Sequence, residues 1–174
     1  MNSATNQISN SRRNFLRGNL SDRVQNIRPP WSLEEPLFLE KCNQCNDCLS
    51  ACHEKIIGHD AEGYPSIDFS RTGCTFCAEC LEICRTGALQ GLRSDIDQAW
   101  SHTIRIADTC LSVSGIVCRT CGDHCGEGSI RFTLLTLGRS LPEINTRSCT
   151  GCGQCIAVCP NNSISIHETI EESL

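Results

Sequence analysis

Sixteen cysteines carry most of the chemistry available to this 174-residue chain, and all of them fall into four groups. The first group reads Cys42-x2-Cys45-x2-Cys48-x3-Cys52 and the second Cys74-x2-Cys77-x2-Cys80-x3-Cys84. The third is stretched, Cys110-x7-Cys118-x2-Cys121-x3-Cys125, and the fourth returns to Cys149-x2-Cys152-x2-Cys155-x3-Cys159. This density of thiols points to a disulfide scaffold or to metal. Three cysteines two residues apart let one compact loop wrap three corners of a [4Fe–4S] cubane. The fourth starts a helix leading away and ligates the other cluster of a pair. Motifs of this kind come in even numbers, so four of them predict two pairs and four [4Fe–4S] clusters.

Two other uses of cysteine compete. Structural zinc sites also take four thiolates, but typically as two C-x2-C knuckles with a longer loop between them. A disulfide framework needs an oxidising compartment, reached through a signal peptide with an apolar run of about 7–15 residues. Here the residues after Arg12-Arg13 run Asn14-Phe15-Leu16-Arg17-Gly18-Asn19-Leu20-Ser21-Asp22-Arg23, broken by charge and without a small-residue cleavage site. No segment approaches the roughly 18 uninterrupted apolar residues of a membrane span. The expectation is therefore a soluble, cytoplasmic chain whose thiols stay reduced and bind metal.

The elements between the groups decide how they pair. Ile56-Ile57 and Ile67-Asp68-Phe69 read as strands around a turn at Gly63, and Ile130–Leu135 and Leu141–Asn145 repeat the form around Gly138. Pro36-Leu37-Phe38-Leu39 and Thr103–Ile106 lead into the first motif of each half, and Ala88–Leu92 and Ser163–Ile166 follow the second. This is an internal duplication, each half reading strand, cluster loop, short helix, hairpin, cluster loop, short helix, strand. Sequential pairing predicts four ligand sets: Cys42, Cys45, Cys48 with Cys84; Cys74, Cys77, Cys80 with Cys52; Cys110, Cys118, Cys121 with Cys159; and Cys149, Cys152, Cys155 with Cys125.

Residues 35–93 and 103–168 each resemble a bacterial-type two-cluster ferredoxin. The expected fold is α+β, two tandem ferredoxin units of short strands and short helices: a basic segment 1–34, a first unit 35–96 and a second 97–174. In that family proline usually follows the last cysteine of a motif. Only Cys159-Pro160 keeps it, with His53, Arg85 and Gly126 at the other three positions. Leu111–Val117 reads as a bulge in the third cluster loop. His53 and His124 read as exposed neighbours of the thiols, since cysteine fills every ligand position, and His59, His102 and His167 carry no signal. Trp31 and Trp100 read as packing residues in a chain with only eight aromatics.

The formal net charge of −5 is uneven. Residues 1–30 carry five arginines against Asp22, so the remainder is strongly acidic, which argues against a nucleic-acid partner. Ser11-Arg12-Arg13 resembles the twin-arginine export motif without its apolar stretch. Leu16, Leu20, Val24 and Ile27 fall on one face of a helix that Pro29-Pro30 would end. Arg12, Arg13, Leu16, Arg17 and Leu20 are thus the candidate docking residues, for helix-in-groove binding to a protein or for shallow membrane contact. Removal of residues 1–30 is expected to abolish docking and leave the thiol groups intact.

Across nearly its whole length the chain resembles the NapF-type accessory proteins of the bacterial periplasmic nitrate reductase system. The residues that carry this are Ser11-Arg12-Arg13, Ile27-Arg28-Pro29-Pro30-Trp31-Ser32, Gly63-Tyr64-Pro65-Ser66, the x7 gap of the third group, and Cys149-x-Gly151-Cys152-Gly153-x-Cys155. The resemblance implies a cytoplasmic protein that acts on the catalytic molybdenum subunit before its export, in cluster assembly or redox maturation. The alternative is a ferredoxin-type electron carrier to the nitrate-reducing system. No Ser/His/Asp set, P-loop or G-x-G-x-x-G is present, and the expectation is a protein that is not an enzyme.

Overall fold

The computed structural model describes residues 26–136 and 139–168; the docking residues Arg12, Arg13, Leu16, Arg17 and Leu20 lie outside them. The first half runs α1 (Glu35–Lys41), α2 (Asp47–Ala51), β1 (Ile57–His59), β2 (Pro65–Ile67) and α3 (Glu79–Ile83). A 3₁₀ turn at Ile96–Gln98 leads to β3 (His102–Ile106), α4 (Thr120–Asp123), β4 (Ile130–Leu134), β5 (Ser140–Ile144), α5 (Gln154–Ala157) and β6 (Ile164–Glu168). This is a small α+β fold of two ferredoxin-type units.

Both expected hairpins form. β1 and β2 pair antiparallel from Ile57↔Ile67 to His59↔Pro65. Their turn is closed by Asp60 Oδ1, which accepts from the Glu62 and Tyr64 N–H groups at 3.0 and 2.9 Å. β4 and β5 pair from Ile130↔Ile144 to Leu134↔Ser140. The second unit is closed by its outer strands, β3 against β6, with Ile104↔Ile166 and Ile106↔Ile164 in register. Each unit has its own core, and thiols are part of both. Phe38, Ile56, Ile57, Ile67, Phe69 and Leu89 surround Cys52 and Cys80. Ile104, Ile130 and Ile164 surround Cys121 and Cys155.

The first unit departs from the expected strand order. Pro36-Leu37-Phe38-Leu39 is not a strand but the body of α1. Pro36 suits a first helical turn, Glu35 and Lys41 sit at the ends the helix dipole favours, and only Phe38 is buried. The closing pair is instead made upstream, by the bridge Ser32↔Leu89. Leu33 N–H donates to Ala88 O at 3.1 Å and Gln90 N–H to Trp31 O at 2.8 Å. Residues 26–34, which the sequence grouped with the N-terminal segment, are therefore built into the first unit.

Arg28 anchors them. It is 8% exposed, donates to both oxygens of Glu35 at 2.7 and 2.9 Å, and reaches Asp60 Oδ2 at 2.8 Å and Pro65 O at 3.0 Å. Its guanidinium also lies over the Phe38 and Tyr64 rings, 5.0 and 5.7 Å from their centroids. Burial pushes the Asp60 carboxyl up, but Arg28 and the turn N–H groups outweigh it and hold the group below the usual carboxylate range. Trp31 and Trp100 both pack as expected. Trp31 is 3% exposed among Ala78 and Ala99, and Trp100 meets Phe69 and Phe76 edge-on at 5.8 and 5.4 Å. Replacing Arg28 with methionine strands a covered Asp60 carboxylate and frees the 26–34 strap. We expect a loss of about 3 kcal/mol, the low end for a broken buried pair because Glu35 is half-exposed. Anaerobic urea unfolding followed by tryptophan fluorescence checks it.

Candidate metal centre

The cluster loops owe their shape to residues in the left-handed region. Gln44 and Asn46 have φ of 57° and 66°, Phe76 and Ala78 of 53° and 63°, and Gly151 and Gly153 of 71° and 77°. In all three regular groups the positions flanking the second cysteine turn the chain the same way. Each left-handed non-glycine residue costs about 1–2 kcal/mol, a strain borne so that successive thiols converge on one side of the loop. The third thiol of each group then sits on the short helix that follows: Cys48 on α2, Cys80 on α3, Cys121 on α4 and Cys155 on α5.

The thiols gather around hollows. One is lined by Cys52, Cys74, Cys77 and Cys80 with Ile56, Ile57, Ile67 and Ala78. Another is lined by Cys110, Cys118, Cys121 and Cys159 with Phe132, Pro160 and Ile164. Cys48 lies in electrostatic reach of Cys42, Cys45 and Cys84, and Cys155 in reach of Cys152, Cys149, Cys121 and Cys125. Both hollows take their fourth cysteine from the other group of its half, the arrangement that sequential pairing expects. All sixteen thiols are free of disulfides. Among the described residues, no three His, Cys, Asp or Glu side chains converge tightly enough for a single ion.

Two serines hold the crossing in the second unit, and sequence reasoning missed them. Ser129 and Ser163, 1% and 2% exposed, each stand four residues after the last cysteine of a motif. Their N–H groups donate to Cys125 Sγ and Cys159 Sγ, both at 3.3 Å. The Ser129 hydroxyl donates to Ser148 O at 2.7 Å, beside Cys149, and Thr109, beside Cys110, donates to the Ser163 hydroxyl at 3.0 Å. Each serine thus ties the departing thiol to the entry of the loop it joins. The repeated Cys-x3-Ser-Ile at Cys125–Ile130 and Cys159–Ile164 is the signal that could have revealed them.

The electrostatics call for a cationic centre. Burial pushes the Cys74, Cys80 and Cys155 thiols up to about 12, and those of Cys48 and Cys121 to about 11, with neighbouring thiolates adding to the rise. Cys84 is different. Burial raises it too, but the Leu89, Ala88 and Gly87 N–H groups and the Thr86 hydroxyl outweigh that, and its pKa falls. Three or four thiolates cannot share one dry hollow unless positive charge compensates them. An iron–sulfur cluster fits this donor set and supplies one-electron redox chemistry, its potential set by burial and by N–H···S bonds.

The seven-residue gap of the third group is an excursion rather than a distorted loop. Ser114 N–H to Cys110 O (2.9 Å) and Ile116 N–H to Leu111 O (2.9 Å) fold it back, with Gly115 at φ 85°. Ser112, 2% exposed, donates to Ser140 O at 2.6 Å, and Arg139 donates to Val113 O at 3.0 Å. The excursion is pinned to β5, and Cys110 and Cys118 still line one hollow. His53 and His124 are exposed: His53 faces Glu79 at 3.1 Å, and His124 Nδ1 lies 2.9 Å from Thr120 O.

Fold and thiol arrangement together define a ferredoxin-type iron–sulfur protein. Residues 41–88 match the family model of the 4Fe-4S dicluster domain, and residues 142–165 that of the 4Fe-4S binding domain. The ferredoxin-type protein NapF of Escherichia coli (strain K12) is 36% identical over 159 residues, covering 91% of this chain and 95% of that protein. NapF of Haemophilus influenzae is 40% identical over 168 residues, covering 90% and 93%. The methylamine utilization ferredoxin-type protein MauM of Methylophilus methylotrophus is 32% identical over 150 residues, covering 76% of this chain and 66% of its own. The chain belongs to the NapF ferredoxin-type proteins.

The crossing can be read chemically. In Cys84→Ser protein, anaerobic alkylation followed by mass spectrometry should label Cys42, Cys45 and Cys48 while Cys74, Cys77 and Cys80 stay protected. Labelling of Cys74, Cys77 and Cys80 instead would mean that each motif closes on its own fourth cysteine.

Proposed function

We propose that this chain is a four-cluster iron–sulfur accessory protein of the periplasmic nitrate reductase system. In this reading it works in the cytoplasm on the catalytic molybdenum subunit before export, assisting cluster assembly or redox activation, and catalyses no reaction of its own. The observation that supports the cluster count is the use of the thiols: sixteen fall into four groups, none left over, and the two thiol-lined hollows each take a fourth cysteine from the partner motif. The assignment to nitrate reduction rests on kinship with the NapF proteins. No described helix is long and apolar enough to cross a membrane, and any membrane contact in this reading is peripheral.

A second reading, an electron carrier to the same system, is favoured by the exposure of Cys45 in the first loop, which puts one thiol set at the surface. The two share a cofactor content and differ in their need for a docking segment. The informative truncation removes residues 1–25, not 1–30, because Arg28 holds the first unit together. Anaerobic full-length protein should contain about sixteen irons with matching acid-labile sulfide; zinc without sulfide would overturn the cluster reading. The truncated chain should keep that iron but lose capture of the unexported molybdenum subunit. Undiminished capture and nitrate reductase activity would leave the electron-carrier reading standing.

A further inference from the structure

The two halves meet at a contact that joins thiol-bearing residues of different pairs. Cys74 N–H donates to Cys152 O at 2.7 Å, and the two side chains are in electrostatic reach of each other. Beside it, Gly73 N–H donates to Gln154 Oε1 at 3.0 Å, and the Thr72 hydroxyl reaches the same oxygen at 3.4 Å. Other hydrogen bonds between the halves, such as Trp100 indole N–H to Arg28 O at 2.9 Å, join no thiol-bearing residues.

The approach is as close as the backbone permits. A Cβ on Gly73 would stand 2.6 Å from Gln154 N, 2.7 Å from Cys152 O and 2.8 Å from Gln154 Cα, all main-chain atoms or atoms bound to them. Gly73 does not have a positive φ, so conformational freedom does not explain glycine there. Space does. On the other side of Cys152, Gly153 brings the same loop against the Phe69 ring, with which a Cβ would collide. Phe69 belongs to the first core, and Ile156 and Ile166 of the second half pack against that core as well.

We infer that the Gly73-Cys74 to Cys152-Gly153-Gln154 contact is an electronic junction that couples the two cluster pairs into one relay. This rests on the four-cluster reading. Within each half, the two sets adjoin where the helices that bear Cys48 and Cys80, and those that bear Cys121 and Cys155, pack on each other. The junction links the second and fourth groups, so the order along the relay is first, second, fourth, third, which is not the order of the chain. Tunnelling falls steeply with distance and is faster through bonds than through gaps. The path from Cys74 Sγ through its N–H to the Cys152 carbonyl and on to Cys152 Sγ contains a single hydrogen bond. Each transfer moves one electron, oxidising one site and reducing the next with no proton or atom transferred. The electron comes from a one-electron reductant at one end and leaves to a one-electron acceptor at the other. The ends are the loop with exposed Cys45 and the excursion that shows Ile116 and Val117.

The test compares full-length wild-type protein with Gly73→Ala, which forces the two loops apart, and Gln154→Leu, which removes the acceptor with little change of size. Iron and sulfide analysis comes first, and fewer than four clusters in wild type refutes the four-cluster reading by itself. With four clusters present, dithionite-reduced protein is examined by electron paramagnetic resonance for line broadening and power saturation. The expected result is coupling between pairs in wild type, lost in Gly73→Ala and weakened in Gln154→Leu at equal iron content. If Gly73→Ala fails to keep its clusters, Gln154→Leu alone decides. Spectra of cluster-replete variants that match wild type overturn the junction.

Discussion

The fold depends on sixteen thiols gathered in sets, with Cys52, Cys80, Cys121 and Cys155 carried into the interior, where a lone thiolate has neither water nor a counter-charge. Cys52 and Cys80 are core residues of the first unit and Cys121 and Cys155 of the second, so the sites and the hydrophobic cores are the same places. Burial and mutual repulsion oppose ionisation there, and compensation has to come from a compact positive centre. A chain with eight aromatics has little apolar volume to offer in place of such a centre. Strained loop residues, short helices and abbreviated strands are tolerable because ligation, not helix or sheet propensity, sets their geometry.

The two units reach one arrangement by different means. The second closes with a five-residue strand pair, β3 against β6. The first keeps only the Ser32↔Leu89 bridge and adds α1 and the Arg28 network. In all four motifs the carbonyl four residues past the last cysteine accepts a main-chain N–H from the segment that leads into the other motif. The bonds are Asp68 to Ile56, Leu33 to Ala88, Asn145 to Ser129 and Ala107 to Ser163. That bond is the common device of the duplication, and the rest is free to vary around it. The Ser112–Ser140 excursion is one such variation, an insertion absorbed by pinning it to a hairpin.

The family relationship says what the scaffold is, and the surface must say whom it serves. Ferredoxin-type relatives named for different systems align with most of this chain, so cysteine spacing alone does not choose a partner. Among the described residues, the first loop around Cys45, the tip at Ile116 and Val117, and the side chains of Leu92 and Leu134 all face outward.

Cysteine spacing by itself determined the identity of the centres and the even number of motifs. It could do so because ligands of a cubane are local in sequence: three of every four lie within a stretch of twelve residues even in the third group. The hairpins were legible for the same reason, since strand, turn and strand are contiguous. What failed was decided over distance. The α1 segment carries the short apolar run Leu37-Phe38-Leu39 that a strand could also use, yet residues 31–33 had already taken its place beside residues 88–90. Arg28 read as part of a basic tail until the fold brought Glu35 and Asp60 to it. The meeting of Cys74 with Cys152 had no sequence signal at all, because Gly73 is revealed as a contact residue only when another loop's backbone lies against it. Spacing specifies what a segment can bind; tertiary packing specifies which segments stand close enough to act together.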